Sequence, residues 1–169
     1  MVAIYDENLY LLRHAKSSWV DARLADFDRP LNDRGRAAAA FVGGHLAEWG
    51  LLPDTIISST AVRARSTADL VCDAAHFGDR IVYESGIYEA GTGQLAEIIS
   101  AIDIGFKSAM IIGHNPGIEG LIYHLTGGLE PMPTAALAAI ELDIQDWAQM
   151  TDGCGHPIRV IRPKELMGR

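Results

Sequence analysis

Two short apolar runs, ending in histidines a hundred residues apart, constrain this chain more than any other feature. The first, Leu9-Tyr10-Leu11-Leu12, runs straight into Arg13-His14. The second, Ala109-Met110-Ile111-Ile112, runs into Gly113-His114-Asn115-Pro116-Gly117. Each has the length of a buried strand, and each delivers a histidine just past its last apolar residue. In open α/β sheets, ligands bind outside the carboxyl ends of the strands. Two histidines and an arginine delivered there point to one site that grips an anion and attacks it.

The rest of the chain alternates strand and helix signals. Leu9 to Arg13 is the first expected strand. Val20 to Pro30 is charged and irregular. Asn32 has N-cap chemistry, so a helix is predicted over Asp33 to Trp49, with Gly50 as its stop. Thr55 to Ser58 reads as a second strand, with Ser59 or Thr60 capping a helix over Ala61 to Ala75. Arg80 to Tyr83 is a weak strand, and Thr92 to Ile102 is helical. Ser108 to Gly113 is the strongest strand, and Pro116 suits the first turn of the helix after it. Leu137 to Leu142 and Ile158 to Ile161 read as closing strands. Such alternation implies a three-layer α/β/α domain with a largely parallel central sheet. The 169 residues read as a single domain, 1–169, long enough to bury roughly 70% of the unfolded surface.

Composition excludes some classes. A net charge of -8 argues against a general nucleic-acid binder, which carries a basic face. It leaves room for an anionic substrate, because a few local arginines outweigh a distant negative surface. Cys72 and Cys154 stand far apart without paired Cys/His spacing for zinc, and are expected to be reduced in a cytoplasmic protein. No stretch of 18 apolar residues is present, so no membrane span is expected. Met1 to Asn8 contains Asp6 and Glu7 and lacks a basic, then apolar, leader pattern, so no signal peptide is expected.

A third segment joins the two histidine runs. Ile56 to Arg65 reads as strand, cap and first helical turn, with Arg63 in that turn. A helix N-terminus offers free N–H groups and the positive end of the dipole. Taken singly, an arginine early in a helix is ordinary surface charge, and a histidine at a strand end is ordinarily structural. Arg13-His14, Arg63 and His114 gain weight because all fall at one end of the sheet.

The wording of these pieces resembles the histidine phosphatase superfamily, which also holds the phosphoglycerate mutases. Its Arg-His-Ala motif matches Arg13-His14-Ala15. Its Ser-Xaa-Ala-Xaa-Arg-Ala segment matches Ser59 to Ala64 and continues through Ala68. Its second histidine motif matches Gly113 to Gly117. Arg13 to Ser17 and Asp26-Phe27-Asp28-Arg29-Pro30-Leu31 are most similar to the SixA-type phosphohistidine phosphatases. The resemblance implies a phosphoglycerate mutase-like fold, with His14 as nucleophile and a phosphohistidine intermediate. It implies that Arg13, Arg63 and His114 hold the phosphoryl oxygens, with Asn115 beside them in the substrate site. It implies neither cofactor nor metal. The expected substrate is a phosphohistidine on a protein. The alternatives are a small phosphorylated metabolite, or a non-catalytic phosphate- or partner-binding module.

The general acid departs from the larger relatives, since Asn115 stands where some carry an aspartate. Glu84 and Glu89 lie in about the right region, with Glu89 favoured. Leaving-group chemistry fits a weak acid. Imidazole has a reference pKa of about 6.5, whereas an alkoxide is far more basic and needs a strong proton donor. Other motifs carry less. Gly91 to Ala96 fits a dinucleotide fingerprint but follows no convincing strand. Cys154 to Arg159 is one residue short of a cysteine-phosphatase loop. His45, His76, His124 and His156 read as structural or exposed, and Trp19, Trp49 and Trp147 as packing residues. The charges from Asp21 to Arg36 read as a solvated loop and helix start; the other reading is a substrate rim with Arg29 or Arg34 near the phosphate.

Overall fold

A computed structural model describes residues 7–78 and 80–168. Along the chain run β1 (Glu7–Arg13), α1 (Asp33–Trp49), β2 (Thr55–Ser58), α2 (Val62–Ala75), β3 (Ile81–Tyr83), α3 (Thr92–Ser100), β4 (Ser108–Gly113), α4 (Gly117–Thr126), β5 (Leu137–Leu142), β6 (Gly155–Ile161) and α5 (Pro163–Leu166). The leader expectation for Met1 to Asn8 falls, apart from Glu7 and Asn8, outside the described residues. Among those residues no helix is long and apolar enough to cross a membrane.

Among the described residues six strands make one sheet in the order β3-β2-β4-β1-β5-β6. The β3–β2, β2–β4 and β4–β1 neighbours are parallel, while β5 runs against both β1 and β6. The largely parallel sheet is therefore present, with β5 as its reversed strand. Side-chain alternation then builds three layers. Leu9, Leu11, Ala109 and Ile111 face one core, shared with Leu95 and Ile99 of α3 and Leu121 of α4. Tyr10, Leu12, Met110 and Ile112 face the other, shared with Val42 and Leu46 of α1 and Val71 of α2. Strands covered on both faces read as continuous apolar runs, which is why β1 and β4 are visible in the sequence. Each large aliphatic side chain so buried contributes about 1.5–3 kcal/mol.

The ends of α1 follow local chemistry. Asn32 Oδ1 accepts from the Gly35 N–H at 2.8 Å, and Gly50 closes α1 in the left-handed region at φ 72°. At α2 the cap residue is Ala61, with no side-chain cap bond. Ser59 lies too early to cap and instead accepts from the Ala61 N–H at 3.2 Å. Other boundaries move as well, and β1 begins at Glu7 rather than Leu9. α3 stops at Ser100, and β6 begins at Gly155 rather than Ile158. β6 is an edge strand whose middle residues are solvent-exposed, and its ladder to β5 is irregular at Ala139/Ile140, beside Pro157. An edge tolerates proline and lacks the apolar run that marks a central strand.

α1 and α2 pack closely through Gly43. A Cβ there would meet the Val71 backbone, coming within 2.8 Å of its Cα, whereas one on Gly44 would meet nothing within 4 Å. Gly43→Ala is therefore expected to destabilise the fold by about 1–3 kcal/mol through overpacking. Gly44→Ala is expected to stabilise it by about 0.5–1 kcal/mol through helix propensity. Urea unfolding of the two variants checks this, and a shift in the same direction for both would contradict the close approach.

Candidate active site

The strand register assembles the site. Arg13 of β1 lies opposite Gly113 of β4, and Ser58 of β2 opposite Ile112. His14, His114 and Ser59 thus leave three neighbouring strands at one end. The His14 N–H donates to the Gly113 carbonyl, and the Ser59 N–H to the Ile112 carbonyl, both at 3.0 Å. The two histidine rings sit 5.0 Å apart, centre to centre. α2 follows, with Arg63 in its first turn. Thr67 ties that turn to β1: its hydroxyl accepts from the Ala15 N–H at 2.9 Å and donates to the Arg63 carbonyl at 2.7 Å.

His14 is oriented through both ring nitrogens. Nδ1 lies 2.8 Å from the Ala15 carbonyl, which can only accept, so Nδ1 carries the proton. Nε2 is left with its lone pair, and Arg63 Nε donates to it at 3.3 Å. Burial lowers the His14 pKa from 6.5 to about 3, with His114, Arg63 and Arg13 adding to the effect against the Ala15 bond. His114 is lowered to about 4, first by burial and then by Arg63. Both rings are therefore neutral near pH 7. His114 Nε2 lies 2.7 Å from Ser59 Oγ, and its buried Nδ1 has no hydrogen-bond partner among the described residues. Arg13 Nη1 donates to the Met132 carbonyl at 3.0 Å, and its buried Nε likewise lacks a partner there.

Asp26 knits the arginines together. Its backbone carbonyl accepts from Arg63 Nη1 at 2.8 Å, and Oδ2 accepts from Arg63 Nη2 at 3.0 Å. Oδ1 accepts from Arg29 Nη2 at 3.0 Å, and the Tyr88 hydroxyl donates to Oδ2 at 2.7 Å. These partners, the Tyr88 bond foremost, hold the Asp26 pKa down at about 2. Arg29 is itself buried. It donates from Nη1 to Ser17 Oγ at 2.7 Å and lies 3.5 Å below the Trp19 ring. The Tyr88 ring meets His114 edge-on, with centroids 5.5 Å apart.

The sequence expectations divide accordingly. Arg13, His14, Arg63 and His114 come together. The solvated-loop reading of Asp21 to Arg36 holds for the exposed Asp21–Arg23 pair but not for Asp26 and Arg29, which belong to the arginine network. Arg34 lies outside that network. Trp19 is 75% exposed, stacked on Arg29 rather than packed in the core, while Trp147 is fully buried. Asn115 Nδ2 donates to Glu119 Oε1 at 2.9 Å and to the Met132 carbonyl at 3.0 Å, so its amide props the segment that holds Arg13. Glu84 accepts from the Gly86 N–H at 2.9 Å, capping a short helical turn. Glu89 is exposed, with φ at 61°, a conformation uncommon outside glycine. Sequence reasoning missed Tyr88, which nothing marks, and gave Asp26 no role, although Asp26 and Arg29 stand three apart in the segment Asp26 to Leu31. Among the described residues no three His, Cys, Asp or Glu side chains group to hold a metal ion.

Residues 9–110 match the model of the histidine phosphatase superfamily, branch 1. An uncharacterised chloroplastic protein of Arabidopsis thaliana is 35% identical over 150 residues, which are 83% of this chain and 69% of that protein. An uncharacterised protein of Mycobacterium tuberculosis is 32% identical over 156 residues, covering 85% of this chain and 94% of its own. Among solved structures, the candidate phosphohistidine phosphatase SixA of Agrobacterium tumefaciens superposes with a TM-score of 0.78 at 31% identity, over 94% of this chain and 99% of that one. A protein histidine phosphatase SixA complexed with tungstate superposes with a TM-score of 0.80, covering 94% and 99% of the two chains, and at 21% identity shares the fold.

The depressed histidine pKa values predict the acid limb of any activity. Protonation of His14 or His114 begins to matter only as pH falls toward about 4. Corrected for substrate ionisation, kcat/KM, which reports the free enzyme, should stay flat from about pH 7.5 to about pH 5. A fall with a midpoint near the unperturbed value of about 6.5 would contradict a desolvated nucleophile.

Proposed function

The chain belongs to the histidine phosphatase superfamily, branch 1, and on that premise we propose that it is a metal-independent phosphatase acting through His14 on protein phosphohistidine. The observation that carries this reading is the bare Nε2 of a neutral, buried His14, set against Arg63 and beside His114. The Nε2 lone pair attacks phosphorus. The bond to the leaving group breaks, its electron pair departs with that group, and an Nε2–P bond forms. Arg63 Nε gives up Nε2 for a phosphoryl oxygen as the substrate docks. Arg13 and His114 supply the donors for the other oxygens, and Asn115 serves the site by holding the Met132 segment against Arg13. Positioning and electrostatics of this kind supply most of the catalysis in phosphoryl transfer. Two arginines neutralise the charge that a metal would otherwise balance. Water then attacks phosphorus, the Nε2–P bond breaks, and phosphate leaves.

The proton donors support the choice of substrate. Asp26 is held ionised by its partners, Glu84 is spent on a turn, and the exposed Glu89 is the remaining candidate acid. Such a site handles imidazole, the least demanding leaving group, better than an alkoxide. The test compares kcat/KM for a phosphohistidine protein, phosphoserine and a sugar phosphate in the native, Glu89→Gln and His14→Ala proteins. Phosphohistidine should be preferred, and Glu89→Gln should slow alkyl phosphates more than phosphohistidine. Folded His14→Ala should lose on the order of 1,000-fold or more. Equal turnover of alkyl phosphates would favour a metabolite phosphatase, and absence of all turnover would favour a binding module.

A further inference from the structure

Among the described residues the unpartnered cations are not scattered. Of the 14 Lys and Arg residues, all but Arg169 are described. Most are occupied. Arg23, Arg29, Arg36, Arg63, Lys107 and Arg162 pair with acids. Arg13 binds a carbonyl, and Arg65, Arg80 and Arg159 lie over aromatic rings. Lys16, Arg34 and Lys164 hold no such partner among the described residues, and all three are exposed and line one groove of about 1010 Å³.

That groove shares part of its wall with a second cavity that reaches Arg13. Lys16 follows His14 by two residues, Arg34 lies in the first turn of α1, and Lys164 belongs to α5. Pro133, Lys164 and Glu165 also line a second cavity, of about 510 Å³, whose wall includes Arg13 and Arg162. Among the acids along this path, Glu119 is bound to Asn115 and Met132, and Glu130 is paired with Arg162, leaving Glu165 against the three cations.

We propose that this groove binds an acidic polypeptide segment flanking the phosphorylated residue of a protein substrate. The inference rests on the phosphoprotein reading above. With a net charge of -8 the molecule as a whole repels an acidic partner. Three unpaired cations on one path leading to Arg13 supply the local complementarity that sets register and speeds encounter. The two cavities share Pro133, Lys164 and Glu165 in their walls, and a path that continues from Lys16 and Arg34 to Arg13 suits an extended chain.

The test has an arm that needs no catalysis. A fluorescent, unphosphorylated peptide of ten residues rich in Glu and Asp should bind the native protein in anisotropy titrations, and a Gln/Asn version should not. Binding should weaken with salt, and by about tenfold or more in the Arg34→Glu, Lys164→Glu double variant. In the second arm, that variant should lose a similar factor in kcat/KM on a phosphohistidine peptide with acidic flanks, while hydrolysing p-nitrophenyl phosphate within about twofold of native. Equal binding of the acidic and neutral peptides, no loss in the double variant, or tighter binding of a nucleotide or polyphosphate than of the acidic peptide would overturn the groove assignment. If phosphohistidine is not hydrolysed at all, the substrate reading fails, and the anisotropy arm still decides the groove.

Discussion

The aligned ends of β1 and β4, with β2 ending one residue earlier beside them, are the constraint on which everything else rests. Parallel pairing places Arg13 opposite Gly113 and Ser58 opposite Ile112. The next residue of each strand is then His14, His114 or Ser59. Slipping one strand by a residue would turn its side chains to the opposite face and break both apolar cores together. The two cores that bury Leu9, Leu11, Tyr10 and Leu12 therefore also hold the two histidines at 5.0 Å. Stability and site geometry are specified by the same ladder.

Placing histidines there has an electrostatic consequence. Removed from water and surrounded by Arg13 and Arg63, neither ring takes up a second proton near neutrality, so both stay uncharged. The same burial would be costly for the arginines alone, and Asp26 offsets it by accepting from both Arg63 and Arg29. The result is a neutral nucleophile beside cations already oriented by hydrogen bonds, so little rearrangement is needed when a phosphoryl group arrives.

What could be read from the sequence follows burial. β1, β2, β4 and β5 are marked by runs that only a covered strand can carry, and Asn32 and Gly50 by the backbone geometry of a helix end. Arg13, His14, Arg63 and His114 could be found because each stands at such a marked boundary. Asp26 and Arg29 could not be separated from the surface pair Asp21–Arg23, since two opposite charges a few residues apart look alike whether they meet solvent or a buried guanidinium. Trp19 reads as a packing residue from its large apolar ring, yet it lies exposed over Arg29. Tyr88 lies between Glu84 and Glu89, and its contacts to Asp26 and His114 depend on a loop conformation no local pattern encodes. β6 was half visible because an edge strand need not be apolar.

The central claim is that the bare Nε2 of His14 takes the phosphoryl group. The most direct measurement is rapid-quench trapping during turnover, followed by mass spectrometry and phosphorus–nitrogen NMR of the trapped protein. The account predicts one acid-labile phosphoryl group, on His14, at Nε2, because Nδ1 is committed to the Ala15 carbonyl. Phosphate on Nδ1 or on another residue, or turnover by folded protein with no phosphoenzyme trapped, would contradict it.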